Sequence, residues 1–65
     1  MENFAPEKIF NVDDFKGLIN AMLNGTIEYG DAEANRVWDQ IYKLYEHDFI
    51  TGSEYDYLMR YATEL

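Results

Sequence analysis

The residue types that carry catalysis are scarce in this chain of 65 residues. It has one histidine (His47), one serine (Ser53) and no cysteine. A catalytic site needs a nucleophile with its base, a pair of tuned acids, or a metal. His47 has no thiol to activate, and it falls near the end of a predicted helix, where a positive charge favours the helix dipole. Ser53 lies inside a helix-capping sequence, which gives it a sufficient structural role. Asp13 and Asp14 are adjacent acids, but no Asp-x-Asp-x-Asp-Gly loop follows them, and first-turn acids are ordinary on a helix. The cysteine and histidine counts also exclude the usual zinc frameworks. The sequence therefore assigns no catalytic, metal or cofactor-binding residues, and the chain is read as a binding protein and not an enzyme.

The chemistry it does carry is charge and aromatic surface. Thirteen Asp and Glu stand against five Lys and Arg, a net charge of −8. Such a field repels nucleic acid and anionic membranes and attracts basic surfaces. Direct DNA binding is disfavoured, because phosphate contacts need Lys and Arg. On the predicted second helix, Asp39 and Lys43 are four apart and Glu33 and Arg36 three apart, so that face neutralises itself. The third helix differs: Glu54, Asp56 and Glu64 meet one base, Arg60. Glu46 and Asp48 lie just before it, and with Glu28 and Asp31 they extend a negative ridge.

Tyrosine is the other excess, six in all. Tyr45 and Tyr55 fall on core stripes, and Tyr42 lies at a rim. Tyr57 and Tyr61 are four residues apart and well off the buried stripe of the third helix, with Glu54 and Glu64 on the same side. Paired exposed tyrosines are typical of binding surfaces. The alternative is that they pack on the first helix or the N-terminal segment. The predicted partner-binding set is Glu54, Asp56, Tyr57, Tyr61, Glu64, Glu46 and Asp48.

These residues need a scaffold, and the pattern predicts an all-α, three-helix single domain with a C-terminal antiparallel helical hairpin. Residues 1–10 form a lead-in segment, in which Pro6 fits the first turn of a short helix and Ile9 and Phe10 pack on the body. Helices are predicted at about 12–23, 32–47 and 52–64. Asn11 is a good N-cap with Asp14 three residues on, and Phe10 and Phe15 have the spacing of a hydrophobic staple. Phe15, Leu18, Ile19 and Met22 share one face. Gly17 in mid-helix suggests close packing, and Asn24-Gly25 provides a stop. Asp31 is the predicted N-cap of the second helix, whose stripe is Ala34, Val37, Trp38, Ile41, Leu44 and Tyr45; Gln40 falls in its polar arc. Trp38 is expected in the core among Phe15, Ile19, Ile41, Leu58 and Met59. Thr51-Gly52-Ser53-Glu54 is a capping box, with Ile50 and Tyr55 at staple spacing.

The segment Leu44-Tyr45-Glu46-His47-Asp48-Phe49-Ile50-Thr51-Gly52-Ser53-Glu54-Tyr55 resembles the short C-terminal helical hairpin family called SHOCT. Phe49, Ile50, Thr51, Glu54 and Tyr55 match that family's turn. Asp48 stands where the family has glycine, and Met59 where lysine is common. The resemblance implies a helical hairpin and brings no site residues with it.

The N-terminus lacks a basic stretch followed by an apolar one, and no run is long enough to span a bilayer. The expectation is a cytoplasmic protein with no membrane or cofactor. Two functions fit. One is an inhibitor that occupies the basic surface of a nucleic-acid-binding protein, its carboxylates imitating phosphates. In size and charge it resembles small acidic phage-encoded inhibitors. The other is a structural or regulatory helical module that uses Tyr57 and Tyr61 to form a homodimer or dock on a larger assembly.

Overall fold

The computed structural model describes residues 4–65, so the first three residues of the predicted lead-in lie outside it. A 3-10 turn, Pro6–Lys8, precedes three helices: α1 (Val12–Leu23), α2 (Asp31–Glu46) and α3 (Gly52–Ala62). Among the described residues there is no strand. All three apolar stripes converge on one core. Phe15 and Ile19 of α1, Val37, Ile41 and Leu44 of α2, and Leu58 of α3 are its largest fully buried residues of the helices. The tyrosine rings of Tyr45 and Tyr55 meet near the α2–α3 turn, while Trp38 meets Ala62 at the other end. Residue number thus falls along α2 as it rises along α3, and the two helices are antiparallel.

The turns explain why the helices stop where they do. At the end of α2, Asp48 N–H donates to Tyr45 O (3.1 Å) and Phe49 N–H to Leu44 O (2.8 Å). This is the Schellman arrangement, which places one residue in the left-handed region. That residue is Asp48, with φ 62°. Gly25 takes the same role after α1, with φ 86°. Gly52 is the first residue of α3, and Thr51 caps it. Thr51 Oγ1 accepts from Glu54 N–H (3.1 Å) while Glu54 Oε1 accepts from Thr51 N–H (2.8 Å). Asn11 caps α1 by accepting from Asp14 N–H at 3.1 Å.

Several expectations need correction. Helix α2 begins at Asp31 with Gly30 as its N-cap, so Asp31 is not the cap. The reason is Glu33: its Oε1 accepts from Gly30 N–H at 2.8 Å. That bond holds the Glu33 carboxyl below its ordinary range. Glu33 therefore does not pair with Arg36, which reaches back to the N-terminal segment. Arg36 Nε donates to Glu7 Oε2 (2.8 Å) and Nη2 to Glu7 Oε1 (2.7 Å), a two-pronged pair. The same guanidinium lies 5.0 Å from the centre of the Phe4 ring. Phe4 and Pro6 are buried against α2 by this clamp. The covering segment also buries Gln40, only 6% exposed, although its helix position placed it on the polar side.

Aromatic placement departs from expectation too. Trp38 is half-buried at the edge of the core and not enclosed by it. Its indole N–H needs an acceptor and finds Ala62 O at the end of α3, at 2.6 Å. Phe10 does not enter the core. The chain around it is extended, so neighbouring side chains point to opposite sides; Ile9 packs against the core and Phe10 stands 55% exposed. Tyr45 leaves the core stripe and is exposed, its ring 4.8 Å from that of Tyr55. Gly17 marks no close approach, since a Cβ there would meet nothing within 4 Å. Helix α3 ends at Ala62, because Glu64 N–H and Leu65 N–H turn inward to Tyr61 O and Ala62 O in tighter three-residue bonds.

Candidate interaction surface

The predicted partner-binding residues divide into three groups. Glu54, Tyr57 and Tyr61 lie at i, i+3 and i+7 along α3, and Glu64 continues that line past its end. At about 100° per residue this makes one stripe, on the side of α3 that meets Lys16 of α1. Asp56 is two residues from Glu54, so it projects from nearly the opposite side of the helix. The three carboxylates of α3 therefore do not form a single row. Glu46 ends α2 and Asp48 lies in the hairpin turn, both exposed, with Tyr42 Oη donating to Glu46 Oε2 at 3.5 Å.

Within the stripe, the rings of Tyr57 and Tyr61 pack edge to face, with centres 5.5 Å apart at 75°. Tyr57 is 40% exposed and Tyr61 is half-buried against the core. Between them and α1 lies Lys16, whose Nζ is 3.9 Å from the Tyr61 ring centre and 5.6 Å from that of Tyr57. Tyr61 leans on the body, and Tyr57 is exposed to solvent. An ammonium over an aromatic face is attracted by the ring quadrupole. Lys16 thus sets one positive charge over the Tyr61 ring, beside the carboxylates of the stripe.

Lys16 was not legible as a site residue, because its contact spans two helices distant in sequence. A second missed feature is the pair Phe10 and Phe49, 55% and 60% exposed, with ring centres 5.4 Å apart. Staple spacing pointed Phe10 inward and concealed it. Two shallow depressions open beside this pair, one towards Asp13 and Glu54, the other towards Lys43 and His47.

The electrostatics of the remaining surface are one-sided. Among the described residues, ion pairs join Arg36 to Glu7 (2.7 Å) and Lys43 to Asp39 (3.1 Å). Glu33 and Glu54 are engaged as caps. Asp13, Asp14, Glu28, Asp31, Glu46, Asp48, Asp56 and Glu64 are all exposed and have no cationic partner within 4 Å among the described residues. No group of three or more potential ligands among the described residues is placed to hold a metal ion. No described helix is long and apolar enough to cross a membrane. No family model matches the chain, and comparison with curated proteins and solved structures finds no similar protein.

Proposed function

We propose that this chain is a small acidic inhibitor that binds a nucleic-acid-binding protein in the cytoplasm by occupying its basic surface. The observation that carries this reading is the set of exposed carboxylates without a cationic partner among the described residues, held on a capped and closely packed scaffold. Unpaired carboxylates on a rigid body raise the local field, steer a basic partner into contact and compete with phosphate for the same Lys and Arg side chains. The exposed edge of Tyr57 supplies an aromatic anchor beside that charge. The work done is occupancy: charge brings the partner in and aromatic contact keeps it.

The test is capture of the partner from the native host with immobilised full chain, followed by competition with duplex DNA and a salt titration. A partner with a basic nucleic-acid-binding face, released by DNA and by rising salt, is the expected result. Affinity unchanged between low and high salt, or a partner undisturbed by nucleic acid, would refute mimicry. A second reading, a homodimeric module built on Tyr57 and Tyr61, is favoured instead if sedimentation shows a dimer that Tyr57→Ala dissociates.

A further inference from the structure

Phe49 and Phe10 are the two most exposed large hydrophobic side chains among the described residues, and the pair forms the wall of a groove of about 360 Å³. The groove runs between the start of α1 and the hairpin turn. Asn11, Val12 and the buried Ile50 complete its mostly polar lining, and Asp13 and Glu54 supply its carboxylates; no Lys, Arg or His lines it. Building on the reading of a basic partner, we propose that this groove docks an arginine side chain of that partner.

Three features select that occupant. Two helix N-termini border the groove, and such ends ordinarily favour anions. Here the caps satisfy one donor at each end: Asn11 accepts from Asp14 N–H, and Thr51 Oγ1 from Glu54 N–H. The two ends contribute roughly +0.5 charge each, about +1 together. Asp13 and Glu54 contribute one negative charge each, so the carboxylates prevail. Glu54 uses one carboxylate oxygen on Thr51 N–H at 2.8 Å, and its second oxygen has no partner in the fold. Finally, a guanidinium is planar and weakly hydrated, stacks on aromatic faces and pairs with carboxylates, whereas a lysine ammonium holds its water more strongly. A second copy of this chain is a poorer occupant, because each copy brings a charge of −8.

The probe is a capped Gly-Leu-Arg-Leu-Gly peptide titrated into isotope-labelled full chain and followed by amide chemical shifts. Saturable shifts are expected at Val12, Asp13, Ile50 and Glu54. Replacing the arginine by citrulline keeps the shape and removes the charge, and should weaken binding by about tenfold or more, ~1.4 kcal/mol. Lysine should fall between the two. Phe49→Ala and Asp13→Asn, both at exposed positions, should each weaken arginine binding severalfold while the rest of the spectrum stays native. Equal binding of the citrulline peptide, or shifts confined to the Tyr57 side, overturns the proposal. So does a dilution series that moves the Phe10 and Phe49 signals without peptide, since a second copy would then fill the groove. The two readings fail separately. A silent groove with a salt-sensitive, DNA-competed partner removes only the arginine site; an arginine-binding groove with a partner indifferent to salt and DNA removes only the mimicry.

Discussion

The indole N–H of Trp38 donates to the backbone carbonyl of Ala62 at 2.6 Å, which ties the middle of α2 to the last residue of α3. Ala62 O already accepts from Leu65 N–H at 3.0 Å, so the indole takes the carbonyl's second lone pair and fixes the hairpin's open end. Tyr29 reinforces the tie, its Oη donating to Leu65 O at 3.3 Å. Trp38→Phe keeps most of the apolar contact and removes the donor. It should cost about 0.5–1.5 kcal/mol. Trp38→Ala removes both and should cost about 3 kcal/mol, the lower end for a large aromatic because the ring is only half-buried. Denaturant unfolding measures both, and equal costs for the two variants would show that the hydrogen bond contributes nothing.

The clamp between Arg36 and Glu7 predicts a pH dependence. The Arg36 guanidinium, donating two hydrogen bonds, holds the Glu7 carboxyl down at about 2, from an ordinary value of 4.5. A lowered folded value means that the carboxylate form is the one the fold favours. Its contribution is complete above about pH 4.5 and is lost as pH falls towards 2. Both side chains are about half exposed, so solvent screening keeps the effect small. Wild type should melt above Glu7→Gln at pH 7, and the gap should close between pH 4.5 and 2. A constant gap across that window would assign the difference to packing instead.

Gly17 sits in the middle of α1 with open space around it. Glycine there loses backbone entropy on folding and offers no contact in return. Gly17→Ala should stabilise the domain by about 0.5–1 kcal/mol, read as a rise in the thermal midpoint of several degrees in a domain this small. A drop in the midpoint would indicate that Cβ has a contact the fold does not show.

Asp48 presents the opposite case. It occupies the left-handed region at φ 62°, where a side chain carries a steric cost that glycine avoids. Asp48→Gly should therefore stabilise by about 0.5–1 kcal/mol, and Asp48→Val should destabilise, because a β-branched residue at positive φ is strained. Far-ultraviolet melting curves separate the two outcomes. If glycine fails to stabilise, the carboxylate is making a compensating local interaction.

Local signals were the legible part of this fold. Asn11 and Thr51 announce their helix starts, Gly25 announces a stop, and the stripes at Phe15, Ile41 and Leu58 point to the shared core. All depend on residues within a turn or two of one another. What escaped detection crosses between elements. Arg36 had a plausible local partner in Glu33 and chose Glu7, 29 residues away, because Glu33 was occupied at Gly30. Gln40 was buried by a segment whose docking no periodicity encodes. At the candidate surface, the Glu54, Tyr57 and Tyr61 stripe followed from helical spacing, whereas Lys16 and the Phe10–Phe49 pair needed the packing of α1 and the turn.

The remaining prediction separates steering from anchoring at that surface. Asp56→Asn and Glu64→Gln remove exposed charge from positions with no internal partner, so folding stability should change little. Glu54 is different, because its carboxylate caps α3. Glu54→Gln keeps an acceptor for Thr51 N–H and is the suitable neutralising change, whereas Glu54→Ala would confound binding with loss of the cap. With all three amides, association with a basic partner should slow and lose part of its salt dependence, since charge attraction acts over about 10 Å at 0.1 M salt. Tyr57→Ala should instead speed dissociation, because a desolvated aromatic anchor acts after the complex has formed. Lys16→Met adds a control: it removes the cation lying over Tyr61 and one positive charge from the surface. If steering dominates, this variant should associate faster than wild type with dissociation nearly unchanged. If it instead dissociates faster, Lys16 acts by holding the tyrosines in place. Stopped-flow association and surface-based dissociation rates, measured at two salt concentrations, distinguish these cases. Amide variants that associate as fast as wild type at low salt would show that the carboxylates of α3 play no part in capture.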